Sequence, residues 1–446
     1  MGELALDGAL RPVPGVLAMS LEARARGFES MVVPAANAAE ARAGGMEVTP
    51  ATSLREVAEL LGCVPSGERK PRLDGRSPAA APGNGVSSPE ARLRDDLSAW
   101  SRAAVPAGDA GLCLSEVKGQ TLAKRALEIA AAGGHNILFI GPPGVGKSML
   151  ARRLATILPE PTPAEALEIA RIHSLMTPRM PPPGFRPFRA PHHSATVPAL
   201  VGGGVPARPG EVSLAHAGVL FLDELAEFPR ASLEALRQPL EEGAITVARL
   251  NDTAEFPARF QLAAATNPCP CGHRGNPKRP CDCTPPAVRR YLSRLSGPLL
   301  DRIDLQIEMG PLDFADWAAG MGPAAAGTAS SASRGGAETS AEVRGRVEKA
   351  RAVQRERFAD APGALNAAIP HRELRKLAFL DGEGLMMIEA ATERMRLSAR
   401  SIDRALKVAR TIADLASSAR IRPAHLAEAL QCRRLDRLMN PMLSEH

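Results

Sequence analysis

The segment from Gly141 to Ser148 carries residues whose chemistry can be inferred directly. It reads Gly141-Pro142-Pro143-Gly144-Val145-Gly146-Lys147-Ser148 and fits the pattern G-x-x-x-x-G-K-[ST] in full. Such a loop aims backbone N–H groups and a helix dipole at one point, which suits a nucleoside triphosphate. We expect Lys147 to reach the β- and γ-phosphates and Ser148 to ligate Mg²⁺, with ATP and Mg²⁺ as cofactors. The alternative is a chance glycine-rich turn.

Two carboxylates and an amide follow apolar runs further along the chain. The run 218–222 ends in Asp223 and Glu224, and the run 260–266 ends in Asn267. We expect Asp223 to hold the Mg²⁺ shell and Glu224 to polarise an attacking water, which predicts hydrolysis. The side chain of Asn267 would sit beside the γ-phosphate and hold that water in line. An ordinary transition from strand to loop is the alternative for the two carboxylates.

Two arginines are candidates for contacts with the γ-phosphate. Arg302 follows a helical segment and directly precedes a strand; in ring-forming ATPases that position projects the arginine into the neighbour's nucleotide site. A surface salt bridge within residues 301–304 is the alternative. Arg400 opens a helix of the C-terminal region and is placed to reach the γ-phosphate, with Arg404 one turn on as the alternative.

The elements that position these residues predict an α/β fold followed by helices. Buried runs such as 137–140 predict strands, and the apolar spacing over 149–158 predicts a helix. Composition divides the chain into five segments: an N-terminal segment (1–65), a linker (66–104), an α/β core (105–317), a low-complexity linker (318–340) and a helical segment (341–446).

Charge and hydropathy restrict the class of protein. The net charge of +6 weakly favours a polyanionic partner, and aromatic residues make up only 3%, so base-stacking platforms are scarce. The sequence has no apolar run long enough to span a bilayer and no signal peptide. We therefore expect a cytoplasmic protein with no membrane partner.

Four cysteines lie close together in the chain after Asn267. They form two C-x-C pairs, and thiolates in pairs on a short loop match the ligand set of a structural Zn²⁺ site: Cys269, Cys271, Cys281 and Cys283. The C-x-C spacing is tighter than the usual C-x₂-C, and free reduced cysteines are the alternative. Because four cysteines complete a tetrahedron, His273 can be a bystander. We expect metal loss to disturb the Asn267 strand.

Longer motifs resemble one family. They are FRAPHHS (188–194), PGEVSLAH (209–216), LRQPLE (236–241), NPCPCG (267–272) and VARTIADL (408–415). With them the chain resembles the magnesium-chelatase-like AAA+ ATPases, and closely the ComM (YifB) group, over nearly its whole length except the linkers. The resemblance implies a P-loop AAA+ core, in which helices flank a parallel sheet. It also implies a C-terminal helical lid and a partial Lon-protease-like α/β N-terminal domain.

The resemblance further implies a hexameric ring motor that hydrolyses ATP and moves branched DNA, a branch-migration helicase of recombination and natural transformation. Two insertions fit this expectation: 244–260 reads as a β-hairpin, and 171–216 carries five arginines, namely Arg171, Arg179, Arg186, Arg189 and Arg208. Arginine contacts to phosphates predict sequence-independent, salt-sensitive binding of branched or single-stranded DNA. The alternative is that both insertions are subunit-packing loops.

Two other functions remain open, a magnesium-chelatase-type ATPase subunit and a nucleotide-gated, non-catalytic scaffold. The cysteine loop and the Lon-like segment favour the DNA motor over the chelatase. In the Lon-like segment, the half that bears the serine nucleophile is missing and Leu17 stands where the lysine base is expected. We expect no protease activity, and either a misassigned start or a partly disordered remnant.

Overall fold

The chain is described from a computed structural model. The described residues are 1–62, 111–176, 181–182, 184–248, 253–277, 279–295, 297–311, 338–361, 363–395 and 397–433. They fall into two compact units, an N-terminal unit (Met1–Ala110 with Pro161–Phe185) and a main unit (Gly111–Glu160 with Arg186–His446). The linker predicted at 66–104 lies outside the described residues, as does the linker at 318–340 except for its last three residues.

The described elements are strands and helices up to residue 308 and helices from residue 340. The strands are β1 (Glu3–Leu4), β2 (Leu10–Arg11), β3 (Ser30–Pro34), β4 (Glu47–Ala51), β5 (Ile137–Ile140), β6 (Phe188–Arg189), β7 (Gly202–Gly203), β8 (Arg208–Pro209), β9 (Val219–Leu222), β10 (Ala244–Ala248), β11 (Thr253–Pro257), β12 (Gln261–Thr266) and β13 (Leu305–Glu308). The helices are α1 (Val16–Ala25), α2 (Ala38–Arg42), α3 (Leu54–Leu60), α4 (Thr121–Gly133), α5 (Lys147–Ile157), α6 (Pro163–Ser174), α7 (Val197–Val201), α8 (Glu211–Leu214), α9 (Arg230–Ala235), α10 (Arg237–Glu242), α11 (Pro285–Leu292), α12 (Gly297–Leu300), α13 (Ser340–Arg357), α14 (His371–Leu377), α15 (Gly382–Met395), α16 (Ala399–Leu415) and α17 (Pro423–Gln431).

The N-terminal unit includes a helix from further along the chain. Strands β3 and β4 pair in parallel, and β1 and β2 pair antiparallel. Helix α6 packs on α1, where Leu17 is fully buried and contacts Ala170, and the Gly15 N–H donates to the Ser174 carbonyl at 2.8 Å. The sequence analysis assigned this helix to the core segment 105–317, whereas in the structure it belongs to the N-terminal unit.

Leu17 occupies a position built for an apolar side chain. Its side chain is 0% exposed, and its backbone N–H donates to the buried carboxyl of Glu40 at 3.0 Å. Burial raises the pKa of Glu40, although hydrogen bonds from Leu17 and Asn37 oppose that effect. A lysine at position 17 would therefore place an ammonium group in an apolar contact with α6.

The main unit is built on one parallel sheet with strand order β13–β5–β12–β9–β6. Successive residues of β5 point to opposite faces, so Ile137 and Phe139 join one buried cluster while Leu138 and Ile140 join the other. Helices α4, α5, α13 and α16 cover the first face, and α9 and α11 cover the second. Both faces are buried, as a parallel sheet requires. The predicted α/β fold class is confirmed.

The C-terminal segment is helical over its described residues, as predicted. Helix α13 begins at a capping box, in which the Thr339 hydroxyl and the Glu342 carboxylate each accept from the other's backbone N–H. Ser398 caps α16, and Pro423 occupies the first turn of α17. No helix among the described residues is both long and apolar enough to cross a membrane.

The hairpin expected at 244–260 consists of β10 and β11, which pair antiparallel from Ala244 opposite Pro257 to Ala248 opposite Thr253. Its tip, residues 249–252, lies outside the described residues. A second, shorter antiparallel pair is formed by β7 and β8 within the 171–216 insertion. The insertion therefore carries a hairpin of its own, which the sequence analysis did not predict.

The packing of Leu17 yields a first prediction. We expect Leu17→Ala to lower the free energy of opening of the N-terminal unit by about 2–5 kcal/mol, because it leaves a cavity between α1 and α6. Native-state hydrogen exchange of α1 amides in the full chain measures this free energy. Leu6→Ala, which truncates a fully exposed leucine of the same unit, is the matched control. Equal protection in both variants would contradict the described packing.

Candidate nucleotide-binding site

The loop between β5 and α5 has the backbone that a phosphate site requires. Gly144 and Gly146 have φ of 81° and 91°, left-handed conformations that favour glycine. A Cβ on Gly141 would lie 2.4 Å from the Met309 carbonyl oxygen, so this position also requires glycine. Gly146 is the N-cap of α5, which therefore begins at Lys147, two residues before the predicted start. The loop N–H groups and the positive end of the helix dipole thus face one region.

Lys147 joins this loop to the neighbouring strand. Its Nζ donates to the carbonyls of Gly141 at 2.6 Å and Pro142 at 2.9 Å, and to Oδ1 of Asn267 at 2.9 Å. Asn267 directly follows β12, which pairs in parallel with β5. All three acceptors are uncharged, so a polyphosphate would be a stronger partner for the ammonium group. The structure brings the predicted Lys147 and Asn267 together.

Ser148 and Asp223 provide adjacent oxygens beside the loop. The Ser148 hydroxyl donates to Oδ2 of Asp223 at 2.6 Å, and Oδ1 of Asp223 accepts from the Glu224 N–H at 3.0 Å. Hydroxyl and carboxylate oxygens are the ligands that Mg²⁺ prefers, so this pair fits the ion. Burial lowers the pKa of Lys147, and the negative charges of Asp223 and Glu224 oppose that effect.

Glu224 has a partner that the sequence analysis missed. Its Oε2 lies 3.3 Å from Nδ1 of His193, and its side chain is 53% exposed. The backbone of Glu224 is left-handed with φ of 53°, which is uncommon for a non-glycine residue and costs on the order of 1–3 kcal/mol. His193 belongs to the 188–194 motif, which the sequence analysis used only for the family resemblance. No local spacing signals a pair 31 residues apart.

Both the side chain and the backbone of Arg302 are bound by residues of the same chain. Its guanidinium pairs with the carboxylate of Glu241, and its carbonyl accepts from Nδ2 of Asn136 at 2.8 Å. Burial lowers the pKa of Arg302, and three neighbouring arginines add to that effect. Glu241 lies outside residues 301–304, the stretch in which the alternative placed the ion pair. A contact of Arg302 with a neighbouring subunit stays a prediction.

The two arginine candidates on α16 differ in exposure. Arg400 is 77% exposed and its Nη1 lies 3.6 Å from Oδ2 of Asp301, a weak surface contact. Arg404 is 18% exposed and its Nη1 lies 3.3 Å from Oδ1 of Asp304, which is itself buried. Arg404 is thus committed to a buried carboxylate, whereas Arg400 is accessible to a ligand.

Asp304 lies at the centre of a buried network that ties α16 to the sheet. Its Oδ2 lies 3.2 Å from Nδ1 of His135, and Nε2 of His135 lies 2.8 Å from the Thr411 hydroxyl on α16. Burial acts to raise the pKa of Asp304, but the hydrogen bond with His135 and the charges of His135, Arg404 and Arg433 lower it overall. The network joins the start of β13, the end of α4 and the helix that bears Arg400.

The four predicted cysteines converge in the structure. Their Sγ atoms all lie within 4.8 Å of one another, with 3.4 Å between Cys269 and Cys271. Burial raises the pKa of the Cys269 thiol to about 12, and the backbone N–H of His273 is the main cause that lowers the pKa of Cys271 to about 6. His273 is not part of the cluster, which leaves four thiols that are compatible with a metal ion.

The arginines of the 171–216 insertion have different surroundings. Arg186 donates to three backbone carbonyls at 2.6, 2.8 and 3.2 Å, and Arg189 forms a bidentate pair with the carboxylate of the first residue of α8. These two side chains therefore hold the fold together. Arg171 and Arg208 are exposed, and Arg179 lies outside the described residues.

Comparisons with known proteins find similar sequences over nearly the whole chain. The family "Magnesium chelatase, subunit ChlI" matches residues 113–316, its C-terminal family matches 337–433, and "Subunit ChlI of Mg-chelatase" matches 1–37. Competence protein ComM of Haemophilus influenzae is 42% identical over 446 residues, 99% of this chain and 79% of that protein. YifB of Escherichia coli is 43% identical over 442 residues, which are 98% of this chain and 78% of that protein. The magnesium-chelatase 67 kDa subunit of Chlorobaculum tepidum is 29% identical over 161 residues, which are 35% of this chain and 23% of that protein.

The buried network predicts an acid-sensitive stability. Because the folded pKa of Asp304 lies below its unfolded value of about 3.9, its contribution is present above pH 4 and is lost as pH falls through the folded pKa. We expect Asp304→Asn to lower the free energy of unfolding at pH 7 by about 1.5–3 kcal/mol. The difference from the unsubstituted chain should shrink below pH 4.

Denaturant unfolding at a series of pH values measures both effects. Asp301→Asn, which removes a partly exposed carboxylate three residues away, should leave the free energy of unfolding nearly unchanged. A pH-independent difference for Asp304→Asn, or an equal loss in the two variants, would contradict the assigned role of Asp304.

Proposed function

The chain belongs to the ComM/YifB family of magnesium-chelatase-like AAA+ proteins, and on that premise we propose that it is an ATP-driven ring motor acting on DNA. One observation carries the ATPase part: Lys147, Ser148, Asp223 and Asn267 converge at the carboxyl edge of one parallel sheet. Ligands of open α/β sheets bind at this edge. The proposed substrate is ATP with Mg²⁺.

Each residue at this edge has a separate role in the proposed hydrolysis. Lys147 exchanges its uncharged acceptors for the β- and γ-phosphates, while Ser148 and Asp223 hold Mg²⁺. Glu224 polarises the attacking water, for which its carboxylate must leave His193. Asn267 holds that water in line once Lys147 has released its side-chain oxygen. The contacts of Lys147, Ser148 and Glu224 with protein atoms are the ones that these steps would replace.

The ring part of the proposal concerns Arg302 and Arg400. In a homo-hexamer, Arg302 would exchange Glu241 for the γ-phosphate bound by the neighbouring subunit, where a positive charge stabilises the transition state. Arg400 is exposed on the lid helix α16 and would contact the γ-phosphate from there. Burial is the main cause of the lowered pKa of Arg302, and three neighbouring arginines add to it; their positive charge favours an incoming anion.

The DNA part rests on the family and on the two hairpins. The relative from Haemophilus influenzae is named a competence protein, which supports a role in the integration of DNA during natural transformation. We assign the DNA contacts to the β7–β8 and β10–β11 hairpins. Arg208 lies on the first, and Val205 at its tip is 88% exposed. Branch migration of recombining strands is the activity that we propose.

A magnesium-chelatase-type ATPase subunit is the second candidate, since the family descriptions that match this chain name that enzyme. The similarity to the chelatase subunit of Chlorobaculum tepidum, however, covers only 35% of this chain, whereas the similarity to ComM covers 99%. The ComM-like function is therefore favoured. A chelatase-type motor would hydrolyse ATP without any response to DNA.

Steady-state ATP hydrolysis with and without forked and four-way-junction DNA tests the proposal. We expect DNA to stimulate hydrolysis, and the stimulation to fall as salt is raised, because phosphate contacts release counterions. Glu224→Gln should bind ATP without hydrolysing it. Hydrolysis that is indifferent to every DNA would favour the chelatase-type function, and no hydrolysis would favour a scaffold.

A matched pair of arginine variants tests the hairpin assignment when DNA binding is measured at a series of salt concentrations. Arg208→Ala should weaken DNA binding uniformly across sequences and reduce the log–log salt slope by about one. Arg355→Ala, which removes an exposed arginine from α13, should leave the slope unchanged. Equal slopes in the two variants would contradict a DNA contact at Arg208.

A further inference from the structure

The four cysteines are spaced for one tetrahedral metal ion. The Sγ–Sγ distances are 3.4 Å between Cys269 and Cys271, 3.6 Å between Cys269 and Cys281, and 3.5 Å between Cys271 and Cys281. Four sulfurs at Zn–S distances of about 2.3 Å are about 3.8 Å apart in a tetrahedron. With Cys283, all four sulfurs lie within 4.8 Å of one another, which leaves room for a single ion.

Backbone N–H groups surround these sulfurs. The N–H of Arg274 donates to Sγ of Cys269 at 3.4 Å, and the N–H of Cys271 donates to Sγ of Cys283 at 3.4 Å. Such donors stabilise the negative charge of thiolates and fix their orientation around an ion. The turn is closed by the Gly272 N–H, which donates to the Cys269 carbonyl at 2.9 Å.

The same turn lies directly against the phosphate-binding loop. Gly272 is buried, and a Cβ built on it would lie 2.8 Å from Cδ of Pro143 and 3.8 Å from Cγ of Asn267. Pro143 is the third residue of the phosphate-binding loop, and Asn267 holds Lys147. The cysteine turn thus contacts both halves of the site that Lys147 joins.

We propose that Cys269, Cys271, Cys281 and Cys283 bind one Zn²⁺ ion, and that the zinc-held turn supports the phosphate-binding loop through Gly272. The ion fixes the turn, the turn sets the positions of Pro143 and Asn267, and these set the place of Lys147. The inference rests on the nucleotide-binding part of the proposed function and is independent of the DNA part. The four cysteines are positioning residues, since none touches the phosphates.

Two measurements on the full chain test the two halves of this proposal. Elemental analysis after purification without added metal should find one zinc per chain, and Cys281→Ser should lose it. Cys113→Ser is the control, because Cys113 lies outside the cluster. Titration with a fluorescent ATP analogue and Mg²⁺ should show about tenfold weaker binding for Cys281→Ser, the usual scale for losing a supporting contact.

Two glycine variants distinguish the effect of zinc binding from the effect of the contact between Gly272 and Pro143. Gly272→Ala and Gly275→Ala place a side chain at φ of 79° and 77° in the same loop, so their backbone strain is matched. Only the new Cβ of Gly272→Ala would clash with Pro143, since the nearest atom to a Cβ on Gly275 is 3.9 Å away. Both variants should keep zinc, and Gly272→Ala alone should bind the analogue several-fold more weakly.

Each result bears on a different part of the account. Absence of zinc, its replacement by iron, or zinc retained in Cys281→Ser would overturn the metal site. Equal analogue binding by the two glycine variants would overturn the support of the loop, even where Cys281→Ser fails to fold. An unsubstituted chain that holds zinc but binds no nucleotide would leave the metal site standing and overturn the support of the loop together with the proposed ATPase. Loss of DNA stimulation alone would affect neither half.

Discussion

Three hydrogen bonds from the Lys147 ammonium group hold the phosphate-binding loop against the adjoining strand, and the site depends on this contact. The contact exists because β5 and β12 are parallel neighbours, so their carboxyl ends meet at one edge of the sheet. Strand β9 pairs with β12 on its other side and brings Asp223 to the Ser148 hydroxyl. Parallel order in the sheet therefore places the lysine, the amide, the serine hydroxyl and the Asp223 carboxylate together without any long loop.

Two regions outside this edge, the cysteine turn and the Asp304–His135 network, are each linked to neighbouring elements through a few residues. Asn267 lies between Lys147 and the cysteine turn, so it transmits the position of that turn to the ammonium group. At the opposite edge of the sheet, Asp304, which lies two residues after Arg302, and His135 tie the lid helix α16 to the start of β13. A cluster of thiols thus lies against the site, and a buried charge network ties α16 to the opposite, amino edge of the sheet.

The sequence predicted the parts that depend on local pattern. The loop, the strand at 137–140 and the cysteine cluster follow from residue types at short spacing, and the structure confirms the α/β fold class. Pairings between distant residues carried no local signal: His193 with Glu224, and Arg302 with Glu241. Charge alone also could not separate Arg189, which forms an internal ion pair, from exposed Arg208. An amphipathic helix such as α6 looks the same whichever unit it packs on.

The measurement that tests the central claim most directly is a structure of the full chain with a non-hydrolysable ATP analogue and Mg²⁺. The account predicts that Nζ of Lys147 leaves the Gly141 and Pro142 carbonyls for the β- and γ-phosphates. It also predicts that Ser148 and Asp223 share the Mg²⁺ coordination shell. A nucleotide bound elsewhere, or a Lys147 that keeps its bonds to Gly141, Pro142 and Asn267 while the analogue is bound, would contradict it.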